Sequence, residues 1–261
     1  MELSLSGKRI VVTGGTSGIG RATAKLLVAE GASVLSVGRA AVIDPMPGET
    51  IVDIDLSATD ADRRLGAAVD AAWGGRCDGL AAVAGVMRMT DGGVLDAADH
   101  DWRATWEVNV LGTVRALRAT VPPMIAAGGG AVVLMSSVRA VMPDFRQPDY
   151  SVTKAAVRSL ARMTADEFAH AGVRVNSVSP GAVRTDAWDA PGGVGDVLAT
   201  RHGRDREEAI AHEMAVVRGV PLGRIGTPEE IARVVAFLLS PVSCYLTGED
   251  IRADGGYVRT L

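Results

Sequence analysis

Thr13 to Gly20 read TGGTSGIG, directly after the apolar run RIVV (Arg9–Val12) and directly before RATAKLLVAE (Arg21–Glu30), whose apolar residues recur at helical spacing. Gly14, Gly18 and Gly20 allow the backbone to turn tightly and to approach a bound group closely. The helix that follows opens with unpaired N–H groups and a dipole that favours negative charge. With a strand before and a helix after, the segment reads as a phosphate-binding turn opening a βαβ unit. Its TGxxxGxG spacing differs from GxGxxG.

Outward from that turn, short β-branched runs alternate with long segments of helical periodicity. Strands are expected near 8–13, 33–38, 50–54, 79–83, 131–136, 173–178 and 248–252, and helices near 18–30, 59–72, 98–126, 150–170 and 228–239. With right-handed crossovers this alternation gives an α/β fold, a Rossmann-type doubly wound parallel sheet of about seven strands with helices on both faces. Gly31, Gly128 to Gly130 and Gly172 fall where helices should end and a positive φ is needed. Length and pattern fit a single domain over 1–261, its nucleotide half about 1–130 and its catalytic half about 131–261.

Two stretches break the rhythm. From Arg39 to Glu49 a short Pro-containing loop stands where a crossover helix is usual, and that helix is expected to be missing. From about 184 to 219 the chain is rich in Gly, Asp and Arg, with helical potential in REEAIAHEMAVV, and is expected to form a lid or binding loop. There Trp188 and Met214 are candidates to cover a substrate, while Arg201, Arg204 and Arg206 alternate with acids and read as a solvated face. Trp102 and Trp106, four apart, read as packing residues.

Composition narrows the function classes. The 261 residues are 48% hydrophobic and 22% charged with a net charge of −4, which fits a globular protein and lacks the basic stripe of a nucleic-acid binder. Cys77 and Cys244 are far apart without CxxC spacing, so both are expected to be packed thiols. His100, His170, His202 and His212 show no ligand spacing and are expected to be solvated; His212-Glu213 opens an HExxH pattern, but Val216 occupies the second His position, and no metal is expected. The N-terminal segment lacks a signal-peptide pattern, and runs such as Ala131–Met135 fall well short of a membrane span, so the expected location is cytoplasmic with no membrane partner.

Four polar residues converge on the carboxyl edge of the expected sheet, where open α/β sheets bind ligands. Tyr150 and Lys154 lie four apart on one helix face, Ser137 ends the fifth strand, and Asn109 lies in the preceding helix. A phenol of ordinary pKa near 10 becomes a usable acid or base when cationic neighbours favour the phenolate. After the second strand comes Gly38-Arg39, where an acidic residue would hold a free ribose hydroxyl; an arginine pairs instead with a 2′-phosphate. Ser17 adds no second cation. Asp55 is placed either to meet an adenine edge or to cap a helix.

These motifs resemble the short-chain dehydrogenase/reductase family, and the resemblance covers essentially the whole chain. TGGTSGIG resembles the family's cofactor turn, VNVLGT the segment of its active-site Asn (Asn109), MSSV that of its substrate serine (Ser137), and YSVTK its Tyr/Lys pair. SPGAVRT resembles the segment that holds the nicotinamide carboxamide, and PLGRIGTPEEIA with Asp254–Gly256 resembles the C-terminal part. The family's NNAG reads AVAG here, Ala82 to Gly85.

The resemblance implies catalytic roles for Asn109, Ser137, Tyr150 and Lys154. It implies cofactor contacts from Thr13, Gly14, Thr16, Ser17, Gly18, Ile19, Gly20, Gly38, Arg39, Asp55, Leu56, Ala84, Gly85, Tyr150, Lys154, Pro180, Gly181, Val183 and Thr185. The implied reaction is hydride transfer between a nicotinamide cofactor, NADP on the Gly38-Arg39 reading or alternatively NAD, and a small secondary alcohol or ketone. A homotetramer built on the helices near 98–126 and 150–170 is also implied, with Ala155, Ala156 and Ala161 as small residues for close approach. Within the family, the short 39–49 loop, GVMRM and PLGRIGTPEE look most like 2,3-dihydro-2,3-dihydroxybenzoate dehydrogenases, which use NAD. The rival readings are a cofactor-binding regulator without catalysis and an extended sugar-nucleotide enzyme, which would need a longer C-terminal part.

Overall fold

The computed structural model describes residues 2–39, 43–90 and 92–259. Seven parallel strands form one sheet in the order β3-β2-β1-β4-β5-β6-β7. They are β1 (Arg9–Thr13), β2 (Ser33–Gly38), β3 (Glu49–Asp53), β4 (Gly79–Ala82), β5 (Gly130–Met135), β6 (Val173–Pro180) and β7 (Asp250–Ala253). The order reverses between β1 and β4, so a crevice opens at their carboxyl ends.

Strand residues alternate between two cores. Val11, Leu35, Leu80, Val132, Leu134 and Val175 face one side, and Ile10, Val12, Val34, Ala81, Val133 and Val178 face the other. Both sheet faces are therefore apolar, as an all-parallel sheet requires. The first core is covered by α2 (Ala61–Trp73), α4 (Gly112–Ala126) and α5 (Pro148–Phe168), and the second by α1 (Gly18–Ala29) and α9 (Pro228–Leu239). The TPEE of the sequence is a capping box: Thr227 Oγ1 accepts from the Glu230 N–H while the Glu230 carboxylate accepts from the Thr227 N–H. Gly172, with φ of +77°, caps the short turn after α5.

The expected long helix near 98–126 is present with one interruption. α3 (Asp99–Trp106) runs into a π-helical turn, Glu107–Leu111, before α4 begins. Such turns insert one extra residue per turn and re-aim the side chains they carry. Asn109 sits in this one.

The β2–β3 connection has no helix among its described residues, as expected, although residues 40–42 of the 39–49 loop lie outside them. The 184–219 stretch is largely helical: α6 (Asp186–Asp189), α7 (Val194–His202), α8 (Arg206–His212) and a second π-turn, Glu213–Val217. It has its own small core of Leu198, Ala209 and Ile210.

Three expectations change. Cys244 is exposed; only Cys77 is a packed thiol, and burial pushes it up to about 12. Ala161 is buried and Ala156 packs against the same core, so of the three small residues only Ala155 lies on the outer face of α5. His202 is half-buried and bonded to Glu213 rather than solvated. No helix among the described residues is long and apolar enough to cross a membrane, and no group of His, Cys, Asp or Glu among them is arranged to hold a metal.

Gly66 lies inside α2, and a Cβ there would meet nothing within 4 Å. Gly66→Ala is therefore expected to stabilise the protein by about 0.5–1 kcal/mol through lower unfolded-state entropy. Scanning calorimetry should show a rise of about 2–4 °C per kcal/mol; an unchanged or lowered midpoint would contradict the open helical surroundings.

Candidate active site

The glycine turn is built by close contact. A Cβ on Gly20 would stand 2.0 Å from the Gly14 carbonyl oxygen, and one on Gly14 would stand 3.0 Å from the backbone of Ala84. Gly14 and Gly18 have φ of +69° and +49°, the left-handed region that glycine tolerates. Ser17 holds the N-cap position of α1 without a side-chain capping bond, which leaves the first-turn amides open to an anion. A diphosphate fits this cradle. Thr13 ends β1, where its Oγ1 accepts from the Ala84 N–H at 3.1 Å.

At the β2 end, Gly38 touches Thr16 so closely that an added Cβ would stand 2.3 Å from Thr16 Oγ1. An acidic residue at position 38 would thus require Thr16 to move. Arg39 is exposed just beyond. Asp55 folds back on its own loop, accepting from the Ser57 N–H and Oγ at 2.9 and 2.7 Å. Those bonds, with smaller help from Arg39 and Arg115, hold its carboxyl below the ordinary value. Asp60, not Asp55, precedes α2 in the cap position. Leu56 is buried, and its carbonyl accepts from Arg115 at 2.9 Å.

The catalytic candidates meet at the β4–β5–β6 edge. Tyr150 lies in the first turn of α5, and its phenol interacts with the side chain of Ser137, just beyond β5. Burial pushes the phenol above its ordinary value, while the Ser137 bond and the Arg139 guanidinium pull in the opposite direction. The Lys154 ammonium lies 5.5 Å from the Tyr150 ring centre and donates to the Met135 carbonyl at 2.8 Å. Its burial lowers the Lys154 pKa to about 8. Gly85 leaves room here: a Cβ on it would press within 3.2 Å of both Lys154 Nζ and Asn109 Oδ1.

Asn109 is fully engaged. Its Oδ1 accepts from the Val86 N–H at 2.8 Å, and its Nδ2 donates to the Val86 carbonyl and to Thr153 Oγ1, each at 3.0 Å. One turn earlier, Thr105 Oγ1 donates to Asp149 at 2.5 Å. The pairs 105/149 and 109/153 form two rungs between the helices that carry Asn109 and Tyr150.

A cavity of about 510 Å³ opens in front of Tyr150 and Ser137. Ile19, Pro180, Gly181, Val183 and Thr185 line it on the sheet side. Gly181 packs against Asp254, Val183 bridges to Gly226, and Thr185 lies against Gly18, so the C-terminal motifs brace the segment after β6. Trp188, Val197 and Leu198 of the helical insert, with Met87 and Met89, give apolar walls. Met214, expected as a cover, is instead fully buried and does not line the cavity.

The sequence reading missed Arg139 and Arg218 and read Arg201 as part of a solvated face; all three also line it. Arg139 could have been found by its position two residues after Ser137; the other two depend on how the insert folds.

The Enoyl-(Acyl carrier protein) reductase family model matches residues 14–258. The chain is 34% identical to 2,3-dihydro-2,3-dihydroxybenzoate dehydrogenase of Escherichia coli, over 97% of this chain and 98% of that protein. It is also 34% identical to the oxidoreductase UcpA of the same organism, over 97% and 95%. The chain belongs to the short-chain dehydrogenase/reductase family. A family member of known structure, L-sorbose reductase from Gluconobacter frateurii complexed with NADPH and L-sorbose, superposes with a TM-score of 0.89 at 30% identity, covering all of both chains. The seven-stranded sheet is thus a short-chain dehydrogenase/reductase fold, and the activity class is oxidoreductase.

Because folded Lys154 loses its proton near about 8 and the unfolded residue near 10.5, the unfolded chain holds the extra proton between those values. Wild-type stability therefore rises with pH across that window, and the buried ammonium costs stability below it. Lys154→Met is expected to melt above wild type at pH 7, with the gap closing as the pH is raised through that window. Thermal melts across this range test it, and a gap that stays flat or widens would contradict the burial of a charged lysine.

Proposed function

We propose that the chain is a cytoplasmic NADP(H)-dependent enzyme that moves a hydride between its cofactor and a small, alicyclic secondary alcohol or the corresponding ketone. The observation that carries this reading is that Tyr150 and Ser137, which interact with one another, line the same cavity as Pro180, Gly181, Val183 and Thr185. Thr13, Gly14, Thr16, Ser17, Gly18, Ile19 and Gly20 would hold the diphosphate end of the cofactor. Asp55, Leu56, Ala84 and Gly85 would flank its middle, and Pro180, Gly181, Val183 and Thr185 its nicotinamide end. When bound, the nicotinamide supplies or accepts the hydride.

Tyr150 delivers the proton to the ketone oxygen, or takes it from the alcohol, as the hydride moves. Ser137 donates a hydrogen bond to the same oxygen and fixes it against the phenol. Burial keeps the Tyr150 proton on at neutral pH in the chain by itself, which suits it as the acid of ketone reduction. Oxidation requires the phenolate, which Arg139 and Lys154 favour by charge. Lys154 would also hold the nicotinamide ribose, and Asn109, through Val86 and Thr153, keeps the surrounding backbone in place. The 184–219 insert acts as the lid of the cavity. Assembly as a homotetramer would use the outer faces of α4 and α5, where Ile125, Val152 and Met163 are exposed.

NADP(H) is favoured by the absence of a carboxylate at position 38, where Thr16 would have to move to admit one, and by the exposed Arg39 beside it. A second reading, oxidation of a dihydrodiol with NAD, is favoured by the likeness to the Escherichia coli dehydrogenase.

Tyr150→Phe is expected to lower kcat by about 10²–10⁴ with little change in NADPH affinity, since the hydroxyl acts on the substrate proton. Steady-state kinetics over a panel of cyclic ketones and alcohols test this, and near-wild-type turnover would refute the mechanism. In the same assay NADPH should exceed NADH in kcat/KM by about tenfold or more, and Arg39→Ala should remove most of that preference. A tenfold NADH preference would select the dihydrodiol reading instead.

A further inference from the structure

The arginines around the cavity are not equivalent. Arg139 and Arg146 both pair with Asp144 on the sheet side. In the insert, Arg184 is held by Asp189 and Glu207, and Arg206 by Asp196. Arg201, in the last turn of α7, lines the cavity and has no carboxylate partner among the described residues.

Arg218 is built differently. Its Nε donates to Glu213 Oε1 at 2.9 Å, and Glu213 is 3% exposed. The other Glu213 oxygen is bonded to His202 Nε2 at 2.9 Å, and the His202 ring meets His212 edge-on. Burial pushes the Glu213 carboxyl up, but the bonds from Arg218 and His202 outweigh it and keep the group ionised at neutral pH. The guanidinium is thereby fixed by one edge. Its Nη1 and Nη2 edge makes no hydrogen bond to any described residue, and the side chain lines the cavity.

A planar two-donor fork, held by a buried carboxylate, is the geometry that binds a carboxylate bidentately. Glu213 offsets the charge of Arg218 without using that fork, and Arg201 adds a charge with no carboxylate partner among the described residues. The same cavity is lined by the apolar side chains of Met87, Met89, Trp188 and Val197, which offer an anion no competing charge.

We propose that the substrate carries a carboxylate, taken by the free edge of Arg218, with Glu213 as its positioning residue and Arg201 as a second cation. The inference rests on the hydride-transfer reading of the same cavity. A single free fork matches one planar carboxylate better than the three oxygens of a phosphate ester. The cofactor is served elsewhere, by the glycine turn and Arg39.

The test uses the NADPH-loaded protein and three ketones: 3-oxocyclohexanecarboxylate, its methyl ester and 3-oxocyclohexyl phosphate. The acid should exceed the ester in kcat/KM by about tenfold or more, mostly through KM. Arg218→Gln should bring the acid-to-ester ratio close to one, and Arg218→Lys should not restore it, because an ammonium lacks the fork. Arg201→Gln should lower the ratio less. An ester used as well as the acid, or a preference for the phosphate, would overturn the proposal. If none of the three is reduced, the hydride-transfer reading is at fault, and calorimetry on the NADPH complex still decides the present one. Cyclohexanecarboxylate should then bind at least about tenfold more tightly than cyclohexanecarboxamide, and equal binding would sink it. Should Arg218→Gln fail to fold, the wild-type ratio and Arg201→Gln carry the test.

Discussion

No side chain fits between Gly20 and the carbonyl of Gly14, and the geometry of the site follows from that contact. The added Cβ would lie 2.0 Å from the oxygen, nearer than any bonded rearrangement of the turn could relieve. Gly15 is held almost as tightly, with Ser36 Oγ 2.7 Å from where its Cβ would stand. The turn is thus clamped between the ends of β1, β2 and β4, which fixes how α1 leaves the sheet. Helix α1 then packs on α9, and Gly18 receives Thr185 from the segment after β6. A turn that brings backbone against backbone on one strand in this way positions a wall of the cavity formed five strands later.

Ser36 also links that turn to a buried charge. Its hydroxyl donates to Glu49 at 2.5 Å, and Arg21 of α1 donates to both oxygens of the same carboxylate. Burial pushes the Glu49 carboxyl up, yet the Ser36, Arg21 and Met46 bonds more than compensate and hold it below the ordinary value. A buried carboxylate with these partners is tolerable, whereas removal of Arg21 would leave it uncompensated. The pair secures the first helix to the edge strand β3, beside a connection with no helix among its described residues.

The repeating features of the fold were legible because they are local. Alternating residues such as Val132 and Leu134 against Ala131 and Val133 announce a strand buried on both faces, and Gly172 announces a helix end. The Tyr150, Lys154, Ser137 and Asn109 set was legible by spacing on elements whose register the sheet then preserves. What escaped depends on tertiary contact. Arg218 and Glu213 are five residues apart in a stretch read as a loose polar lid, and only a π-turn brings the arginine onto a buried carboxylate. Ala161 looked like an interface residue because its small size carries no direction; the phase of α5 turns it to the core. Asp55 offered an adenine contact or a cap; the cap position falls to Asp60, which spacing alone did not single out, and Asp55 accepts from Ser57 in a short turn.

The two rungs between α3–α4 and α5 explain why a π-turn lies where it does. Thr105 and Asn109 are four apart, and so are Asp149 and Thr153, so a pair of helices in register can join both partners at once. The extra residue in the π-turn at Glu107–Leu111 changes the angle at which Asn109 leaves its helix. That angle lets one amide bond Thr153 and both backbone groups of Val86. All four rung residues are buried, so losing either member leaves its partner as a buried polar group short of a bond, which is costlier than the bond itself is worth. Asp149 already has one oxygen without a hydrogen-bond partner among the described residues. The rungs fix the helix carrying Tyr150 against the strand-end backbone carrying Gly85, and Lys154 is held between them by the Met135 carbonyl. The helix that carries the phenol is therefore tied by hydrogen bonds of Asp149, Thr153 and Lys154 to the α3 helix, the π-turn and the end of β5, and a shift of that helix is opposed by buried groups on each.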